Sequence, residues 1–395
     1  MEKKTIKDID VFDKKVLLRV DFNVPIEDGK ISDDTRIVEA LPTINFLLEK
    51  GAAIILMSHL GRPDGEFKME YSLAPVGDRL KELLPNVNIV MAKDVVGQDA
   101  ITKASELKSG EILLLENVRF EKGEELNDKV FAEKLASLGD IYVNDAFGTA
   151  HRKHSSTYGV ALLKPNAIGF LIERELKMIT GQIENPKRPM VAILGGAKVK
   201  DKIGIVRSLI DKADSIIIGG GMAFTFLRAQ GFEIGKSLCD QEQLEYCKEI
   251  LTLAKDKGVN ILLPVDSIVA DGIDDKDGEL TKDVNVPADK MGVDIGKKTI
   301  KTFVKVIKKA KTLVWNGPMG VFENDAFSQG TYKVAKAVAK CHGTTIVGGG
   351  DSVSAIVNMG LKKKISHLST GGGASLKLFE GKVLPAVDVI ENKIM

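Results

Sequence analysis

Apolar runs bounded by glycine, proline and polar residues recur along the chain and predict its strands. They lie at residues 15–20, 52–57, 112–115, 141–143, 190–194, 215–218, 261–263, 312–315, 344–347 and 366–369. Apolar residues at helical spacing predict helices at residues 35–50, 170–184, 222–230 and 241–257. Because strands and helices alternate throughout, the pattern predicts an α/β fold with parallel sheets covered by helices.

The helix predicted at residues 170–184 ends in a proline-rich segment, Asn185-Pro186-Lys187-Arg188-Pro189. A residue before proline is biased away from helical geometry, and domain boundaries often fall in such segments. At about 150 residues per domain, a chain of 395 residues has room for two or three domains. We therefore expect this helix to connect two α/β domains, with the boundary at the prolines.

The composition narrows the possible functions. An apolar content of 44% and a charged content of 28% are typical of soluble globular proteins. The net charge of +1 argues against a dedicated nucleic-acid surface, which would make its domain basic.

Cys239, Cys247 and Cys341 form no CxxC motif, which excludes a zinc knuckle or a disulfide framework. Residues 1–12 lack the apolar core of a signal peptide, and no apolar run is long enough to span a bilayer, so we expect a cytoplasmic protein.

Polar and basic side chains follow the strands predicted in the first half. In open α/β sheets, ligands bind at the carboxyl ends of the strands. Those ends carry Asp21, Asn23, His59, Arg62, Arg119, His151 and Arg152, with Arg36 near the start of the first long helix. So many basic groups would repel one another unless an anion lay among them, and each charge-assisted hydrogen bond to it contributes roughly 1.5–3 kcal/mol. The pattern favours a small substrate with phosphate and carboxylate groups, whose hydroxyl Asp21 and Asn23 could hold.

Two other interpretations of these residues carry less weight. A single arginine in a loop is usually a solvated surface charge, and a lone histidine is more often structural than catalytic. His59 could also be a phosphoryl-accepting nucleophile. No carboxylate that would orient His59 is identifiable from the sequence, so we prefer substrate binding.

Residues 344–355, TTIVGGGDSVSA, combine a strand, a glycine turn and the start of a helix. Free N–H groups and the helix dipole at such a start favour a bound anion. The carboxylate of Asp351 would repel a bare phosphate but suits a phosphate that carries Mg²⁺. An ordinary turn with Asp351 as helix cap explains the pattern equally well. A second helix start that could bind an anion follows Thr370-Gly371-Gly372-Gly373.

Two lysines follow the strand predicted at residues 190–194. Helical geometry would place Lys198 and Lys202 on one face, four residues apart, where two like charges need a bridging anion. A phosphoryl group that moves between two substrates would supply it. A basic first helical turn is the alternative, although helix starts disfavour cations.

Other residues of the second half bear on nucleotide binding. Residues 291–296 could line an apolar slot for a base, and Glu323 could bind ribose hydroxyls or be a solvated carboxylate. Trp315 is expected in the core rather than as a stacking platform. Residues 231–237, GFEIGKS, are not a Walker A loop, because the glycines are too close together and a helix precedes them.

Strings of residues in both halves are similar to those of the phosphoglycerate kinase family, nearly end to end. They are RVDFNVP at 19–25, LMSHLGRP at 56–63, ENVRF at 116–120, NDAFGTAHR at 144–152, LGGAKVKDK at 194–202, WNGPMGVFE at 315–323, GGGDS at 348–352 and STGGGAS at 369–375. Single glycine motifs are weak signals, but so many long strings in one order are specific. The resemblance implies an α/β fold of two Rossmann-like three-layer domains with parallel sheets, joined by a long helix and facing across a cleft.

The resemblance also implies a domain plan and an activity. Residues 1–169 would bind 3-phosphoglycerate, with the tail 384–395 packing back on them. Residues 170–189 would be the connecting helix and hinge, and residues 190–383 the nucleotide-binding domain. The implied reaction is a reversible, Mg²⁺-dependent, in-line phosphoryl transfer with domain closure, from 1,3-bisphosphoglycerate and ADP to 3-phosphoglycerate and ATP. The protein would be a cytoplasmic monomer of glycolysis or gluconeogenesis that acts on small molecules, without nucleic-acid or membrane partners.

Roles for single residues follow from the same resemblance. The glycerate would be held by Asp21, Asn23, Arg36, His59, Arg62, Arg119 and Arg152. The nucleotide would be held by Lys202, Gly219, Gly220, Gly292, Asn316, Glu323, Gly349, Gly350, Asp351 and Ser352, with Asp351 on the Mg²⁺ ion. The transferring phosphoryl group would be surrounded by Arg36, Lys198, Lys202 and the amides of Gly371 and Gly372.

Three residues depart from the usual pattern of the family. Met291 stands where tryptophan is common, Ser352 where threonine is common, and Lys377 where an acid is common. These departures bear on nucleotide affinity and not on the reaction.

Two rival functions remain: another acyl-phosphate kinase, which would need fewer arginines, and a nucleotide- or metabolite-binding regulator on the same fold. The intact charged residues of both predicted sites argue against a regulator.

Overall fold

The computed structural model of the protein describes residues 2–393. Contacts within the chain divide it into two compact units, here termed the first unit (residues 2–176 and 383–393) and the second unit (residues 177–382). Residues 383–393 pack in the first unit, where Lys4 N donates a hydrogen bond to Glu391 O at 2.8 Å, and residues 394 and 395 of the predicted tail lie outside the described residues. Each unit is built on a six-stranded parallel sheet.

The strands of the first unit are β1 (Lys15–Arg19), β2 (Ile26–Glu27), β3 (Lys30–Ile31), β4 (Ala53–Met57), β5 (Ile89–Met91), β6 (Ile112–Leu114), β7 (Ile141–Asn144) and β8 (Asn166–Ile168). Strands β2 and β3 pair as a hairpin, and the other strands form the parallel sheet in the order β5-β6-β4-β1-β7-β8. Strands β4 and β6 are buried along their whole length. Near-continuous apolar runs are typical of strands that helices cover on both faces.

The helices of the first unit are α1 (Thr35–Glu49), α2 (Ala74–Leu83), α3 (Gln98–Glu106), α4 (Gly123–Leu126) and α5 (Lys129–Ser137). Short 3₁₀ turns lie at Met69–Tyr71, Val118–Phe120, Phe147–Thr149 and Val160–Leu162, and a π turn at Ser155–Gly159. Helix α1 buries Ile37, Ile44 and Leu47 in the same core as Val16 of β1. This apolar face against the sheet is what stabilises the helix in the fold.

Helix α6 (Phe170–Glu184) begins in the first unit and ends in the second, with the bounds that the sequence predicts. Its first turn is fixed in the first unit, because Leu171 N and Ile172 N donate hydrogen bonds to Asp145 Oδ1 at 2.9 and 3.2 Å. Amides at a helix start have no intrahelical acceptor, so this carboxylate satisfies two of them.

The strands of the second unit are β9 (Met190–Leu194), β10 (Ser215–Ile218), β11 (Asn260–Leu262), β12 (Ser267–Ala270), β13 (Glu279–Leu280), β14 (Met291–Ile295), β15 (Thr312–Asn316), β16 (Thr344–Gly348) and β17 (His367–Leu368). The parallel sheet has the order β11-β10-β9-β15-β16-β17. This is the doubly wound order, which reverses between β9 and β15. Ligands bind outside the carboxyl ends of the strands at such a switch point.

The helices that follow are α7 (Ile203–Ile210), α8 (Met222–Ala229), α9 (Leu244–Asp256), α10 (Lys297–Ile307), α11 (Gln329–Val338), α12 (Gly350–Asn358) and α13 (Gly373–Phe379), with 3₁₀ turns at Gln241–Gln243, Asp325–Phe327 and Lys362–Lys364. Helix α14 (Pro385–Asp388) belongs to the first unit. Helices α10, α11 and α12 pack over one core with Trp315, which is fully buried as predicted. In the part of the chain described, no helix combines the length and apolarity needed to cross a bilayer.

A small antiparallel sheet in the second unit was not predicted. Its strands lie in the order β13-β12-β14, and β13 falls within the glycine- and aspartate-rich stretch between residues 271 and 282. The register of the pairing between β12 and β14 shifts between Ile268 and Val269. Both residues of β13 are exposed, so this strand has no apolar pattern that a sequence reading could detect.

Candidate active site

Neighbouring strands of the first unit end at one edge of the sheet, and their ends carry the predicted substrate residues. Strands β6, β4, β1 and β7 lie side by side in this order. Asp21 and Asn23 follow β1, His59 follows β4, and Arg119 follows β6. Because the strands are parallel, these ends converge. The charges of Asp21, Arg36 and Arg119 accordingly act on the imidazole of His59.

Asp21 is a nearly buried carboxylate within this cluster. Arg36 Nη1 forms an ion pair with Asp21 Oδ1 at 2.8 Å, and Asn23 N donates to the same oxygen at 3.2 Å. Burial would raise the pKa of Asp21, but the positive charges of the neighbouring guanidinium groups of Arg36 and Arg19 hold it below its ordinary value. Asp21 is therefore ionised at neutral pH and orients the guanidinium group of Arg36.

The loop after β4 ties two further predicted residues to the cluster. Asn23 Oδ1 accepts a hydrogen bond from Gly61 N at 2.9 Å, and Arg119 Nη1 donates to Gly61 O at 2.8 Å. Arg119 Nη2 also pairs with Glu125 at 3.2 Å. The buried Nε atom of Arg119 has no hydrogen-bond partner among the residues that the structure describes, so it is a donor left without an acceptor there.

Arg19 is a residue of this cluster that the sequence-based prediction missed. It lies at the end of β1 and is fully buried. Its Nε atom donates to Ser156 Oγ at 2.7 Å, Nη1 donates to Val20 O, and Nη2 lies 3.3 Å from His59 Nδ1. Ser156 in turn donates to Glu124 from N and Oγ, at 2.9 and 2.6 Å. The available signal was a charged residue inside the apolar run KVLLRV, because a buried charge needs partners.

Two predicted arginines lie nearer to solvent. Arg62 is exposed and Arg152 is partly exposed. Arg152 Nε donates a hydrogen bond to His151 Nε2 at 3.3 Å. Neither guanidinium group is paired with a carboxylate of residues 2–393, so both keep donors available for an anionic ligand.

A cavity of about 270 Å³ lies in the second unit at the switch point of its sheet. Its walls include the apolar side chains of Phe224, Met291 and Val293 and the carboxylates of Glu323 and Asp351. The apolar slot predicted from residues 291–296 is therefore part of this cavity. A mostly apolar hollow with a few polar groups is typical of a small-molecule site.

Lys202 and Asn316 meet where β9 and β15 end. Lys202 Nζ donates a hydrogen bond to Asn316 Oδ1, and Asn316 Nδ2 donates to Gly348 O at 3.0 Å. Burial lowers the pKa of Lys202 to about 8, and Asp201 and Asp351 oppose this shift. The amine is thus mostly charged at pH 7 and changes its protonation state about two pH units below an ordinary lysine, and such a shift is common at functional sites.

Contacts with the end of β15 and the loop after it fix the backbone at the start of α12, at Gly350. Gly349 has a φ of +91°, and a Cβ there would lie 2.8 Å from Asn316 Nδ2, so both the backbone and the space require glycine. Ser352 is fully buried, and its Oγ atom accepts a hydrogen bond from Gly317 N at 2.7 Å. The hydroxyl of Ser352 therefore supports the loop after β15.

The helical pairing predicted for Lys198 and Lys202 is wrong. The segment between β9 and α7 consists of bends and turns, and α7 begins only at Ile203. Lys198 therefore lies in the turn segment and Lys202 directly precedes α7, so the two lysines do not share a helical face. Lys198 is exposed in this loop, whereas Lys202 is partly buried.

Backbone amides of several predicted glycines are engaged within the protein. Gly371 N donates to Ser369 Oγ at 3.2 Å, and α13 begins after Gly372. Gly219 N and Gly220 N donate to backbone carbonyls at the end of β9 and after β15, at 2.9 and 3.0 Å. Gly219 and Gly220 therefore offer a ligand close approach of the backbone rather than free donors.

Asp351 is the candidate ligand for a divalent cation. It lies in the first turn of α12, where partial desolvation of its carboxylate and the charge of Glu323 raise its pKa and the charge of Lys202 lowers it. Within residues 2–393, no group of three or more His, Cys, Asp and Glu side chains is arranged to hold a metal ion. Mg²⁺ commonly takes one or two carboxylates and completes its shell with water and substrate phosphates. A single carboxylate beside a lysine therefore fits magnesium that arrives with a nucleotide.

Known proteins are similar to this chain over both units. The family model described as phosphoglycerate kinase matches residues 6–382. Phosphoglycerate kinase of Clostridium botulinum strain Hall is 54% identical over 395 residues, which cover 99% of each chain. Among solved structures, phosphoglycerate kinase from Coxiella burnetii has a TM-score of 0.88 and 43% identity, and that from Pyrococcus horikoshii OT3 has a TM-score of 0.82 and 35% identity. Each of the two alignments covers 98% of both chains.

Proposed function

The chain belongs to the phosphoglycerate kinase family, and we propose that its first unit binds the glycerate substrate and its second unit the nucleotide. It is a phosphotransferase with a carboxyl group as acceptor. Its reaction is the reversible glycolytic transfer of a phosphoryl group from 1,3-bisphosphoglycerate to ADP, which gives 3-phosphoglycerate and ATP. The observation that carries the proposed sites is the cluster in which Asp21 pairs with Arg36 beside His59 and Arg119.

In the first unit, the phosphate and carboxylate of the glycerate are bound by Arg36, Arg62, Arg119 and Arg152. Asp21 and Asn23 hold its hydroxyl. Asn23 Oδ1 already accepts from Gly61, so the amide of Asn23 meets the substrate as a donor through Nδ2. Arginine donors around an anion contribute roughly 1.5–3 kcal/mol per hydrogen bond, which offsets the repulsion among them.

In the second unit, the base occupies the cavity beside Phe224, Met291 and Gly292. Glu323 accepts hydrogen bonds from the ribose hydroxyls. The phosphates extend towards the start of α12 and Lys202, where Gly349 and Gly350 leave room for them. This direction is supported by the shared lining, since both Glu323 and Asp351 border the cavity.

Asp351 binds the Mg²⁺ ion that accompanies the nucleotide phosphates. When bound, the ion neutralises charge on the phosphates. Partial burial and the charge of Glu323 raise the pKa of Asp351, and the charge of Lys202 nearby opposes this shift. Ser352 and Asn316 hold the loops on which these two charged residues depend.

Transfer is direct and in line, without a phosphoenzyme. The moving phosphoryl group is surrounded by Arg36, Lys198, Lys202 and the amide of Gly372, and the amide of Gly371 joins them when it leaves Ser369 Oγ. Catalysis of this kind rests on positioning and on stabilising charge, because the transition state spreads negative charge over the phosphoryl oxygens. His59 is unsuited to act as a nucleophile through Nδ1, since that atom faces the buried guanidinium group of Arg19.

The two substrates bind on different units, so transfer requires the units to close about residues 170–189. Closure also excludes the water that would hydrolyse an acyl phosphate. We place the protein in the cytoplasm as a monomer that acts on small molecules alone. The similarity of the whole chain to enzymes of glycolysis supports this placement.

ADP formation from ATP in a pyruvate kinase and lactate dehydrogenase assay tests the function. The expected acceptor is 3-phosphoglycerate. Acetate and glutamate serve as comparison acceptors, because a general acyl-phosphate kinase would accept them. No turnover with 3-phosphoglycerate, or equal turnover with acetate, would overturn the proposal.

A further inference from the structure

Arg19 and His59 face each other in the interior of the first unit. Arg19 Nη2 lies 3.3 Å from His59 Nδ1 in a buried contact. A guanidinium group has donors only and keeps its charge in proteins. His59 Nδ1 must therefore accept this hydrogen bond, which requires a lone pair on Nδ1 and leaves the ring proton on Nε2.

The surroundings of His59 favour the neutral ring that this contact requires. The side chain is only 4% exposed. Burial lowers the pKa of His59 well below its ordinary value, Asp21 opposes the shift, and Arg19, Arg119 and Arg36 add to it. A charged imidazole would carry protons on both nitrogens and would direct an N–H group at the guanidinium of Arg19. The neutral form avoids that clash.

The other ring nitrogen remains available. Among residues 2–393, His59 Nε2 has no hydrogen-bond partner. It is also not one of the solvent-inaccessible side-chain atoms that lack a partner, so a ligand can reach it. The N–H group on Nε2 is thus a donor that the protein neither uses nor closes off. It lies in the cluster that contains Asp21 and Arg36.

We propose that Arg19 is a positioning residue that fixes His59 in the Nε2–H tautomer, so that neutral His59 donates a hydrogen bond to an anionic oxygen of the substrate. The part of this proposal that concerns the substrate rests on the proposed function. The opposite tautomer would direct the Nε2 lone pair at the anion and replace attraction with repulsion. Arg19 therefore acts on the substrate through His59 and has no contact of its own.

The position of Arg19 is set by groups that the chain buries with it. Its Nε atom is held by Ser156 Oγ at 2.7 Å and its Nη1 atom by Val20 O. Ser156 is in turn bound to Glu124, which is fully buried and whose carboxylate is stabilised by Arg19. These contacts join β1, the π turn at Ser155–Gly159 and α4, so the guanidinium group has little freedom to leave His59.

Nitrogen-15 NMR of the full chain labelled at histidine tests the tautomer directly. The chain has five histidines, and the His59→Gln variant identifies the signals of His59. The expected spectrum has a protonated Nε2 and an unprotonated Nδ1, unchanged between about pH 6 and 8. A protonated Nδ1, alone or together with Nε2, would overturn the proposal.

Variants test whether Arg19 imposes this tautomer. Arg19→Met combined with Glu124→Gln removes the donor without leaving a buried carboxylate unpaired. We expect mixed tautomer signals and a KM for 3-phosphoglycerate about tenfold higher, with the KM for ATP unchanged. Ser156→Ala keeps the charge but frees Nε of Arg19, so it shows the same change to a smaller extent if the double variant does not fold. Arg228→Met, an exposed arginine of the second unit, is the matched control.

The outcomes separate this proposal from the proposed function. An unchanged tautomer in the folded double variant, or in Ser156→Ala when that is the variant that folds, would overturn the role of Arg19. A wild-type protein with the expected tautomer but no turnover of 3-phosphoglycerate would instead overturn the function and leave the contact of Arg19 with His59 standing. A rise of both KM values together would indicate general damage and contradict a positioning role.

Discussion

Lys202 donates a hydrogen bond to Asn316 across the point where the strand order of the second sheet reverses. The contact is partly buried, and burial lowers the pKa of the lysine to about 8. Desolvation disfavours the charged amine, whereas nearby negative charge favours it. Phosphate groups placed at this point would therefore raise the pKa of Lys202 again.

Nucleotide binding should take up protons at about pH 8.5, because bound phosphates return Lys202 to its charged form. Below about pH 7 the amine is protonated before and after binding, so the uptake should vanish there. Calorimetry of ADP binding in buffers of different ionisation enthalpy measures the number of protons. Lys202→Arg keeps a charge at all these pH values and should lose the uptake. Undiminished uptake in that variant would exclude Lys202 as its source.

Asp351→Asn should remove most of the benefit that Mg²⁺ gives to ADP binding. The carboxylate is the metal ligand in our proposal, and the loss of one charged contact weakens binding by about tenfold or more. Without Mg²⁺, ADP should bind this variant at least as tightly as the wild type, since a repulsive charge is gone. Titration of ADP with and without Mg²⁺ measures both effects. Asp325→Asn changes an exposed carboxylate in a 3₁₀ turn and is the matched control; equal Mg²⁺ dependence in both variants would count against Asp351.

Gly292→Ala should weaken nucleotide binding and leave the KM for 3-phosphoglycerate unchanged. A Cβ at Gly292 would lie 1.9 Å from Phe224 Cζ in the cavity wall, so the ring must move. Overpacking of this kind costs about 1–3 kcal/mol of unfolding free energy, which urea titration measures. A Cβ at Gly272 would meet nothing within 4 Å, so Gly272→Ala is the control. Wild-type nucleotide affinity in Gly292→Ala would show that the cavity is not the base site.

Closure of the two units should be visible in solution scattering. The protein with both 3-phosphoglycerate and a non-hydrolysable ATP analogue should have a smaller radius of gyration than the free protein. Either ligand alone should have less effect, because closure requires both substrates in place. Identical scattering profiles with and without both ligands would rule out the hinge at residues 170–189.

The alternation of strands and helices was predictable because the buried strands are continuous apolar runs. The runs at residues 190–194 and 215–218 correspond residue for residue to β9 and β10, and the helix at residues 170–184 corresponds to α6. Strand ends in a parallel sheet meet at one edge, so the convergence of Asp21, His59 and Arg119 also followed from the pattern. These features depend on local periodicity and on sheet geometry.

Features that depend on distant partners were not predictable. Arg19 has its acceptor Ser156 137 positions further along the chain, and nothing near Arg19 in sequence announces that partner. The hydroxyl of Ser352, which is predicted to bind the nucleotide, also accepts a hydrogen bond from Gly317, on a loop that the sequence does not place beside α12. The spacing of Lys198 and Lys202 was misleading because both lysines precede α7, which begins only at Ile203 after a segment of bends and turns.

Kinetics and nucleotide binding of Arg36→Ala test the central claim most directly, since Arg36 belongs to the glycerate site and acts on the moving phosphoryl group. The account predicts that kcat falls by roughly 10³–10⁵ while the affinity for ADP, measured by calorimetry, stays unchanged. Arg228→Ala, with an exposed arginine of the second unit, should keep wild-type kinetics. Near-normal turnover of Arg36→Ala, or a loss of ADP affinity as large as the loss of kcat, would contradict the account.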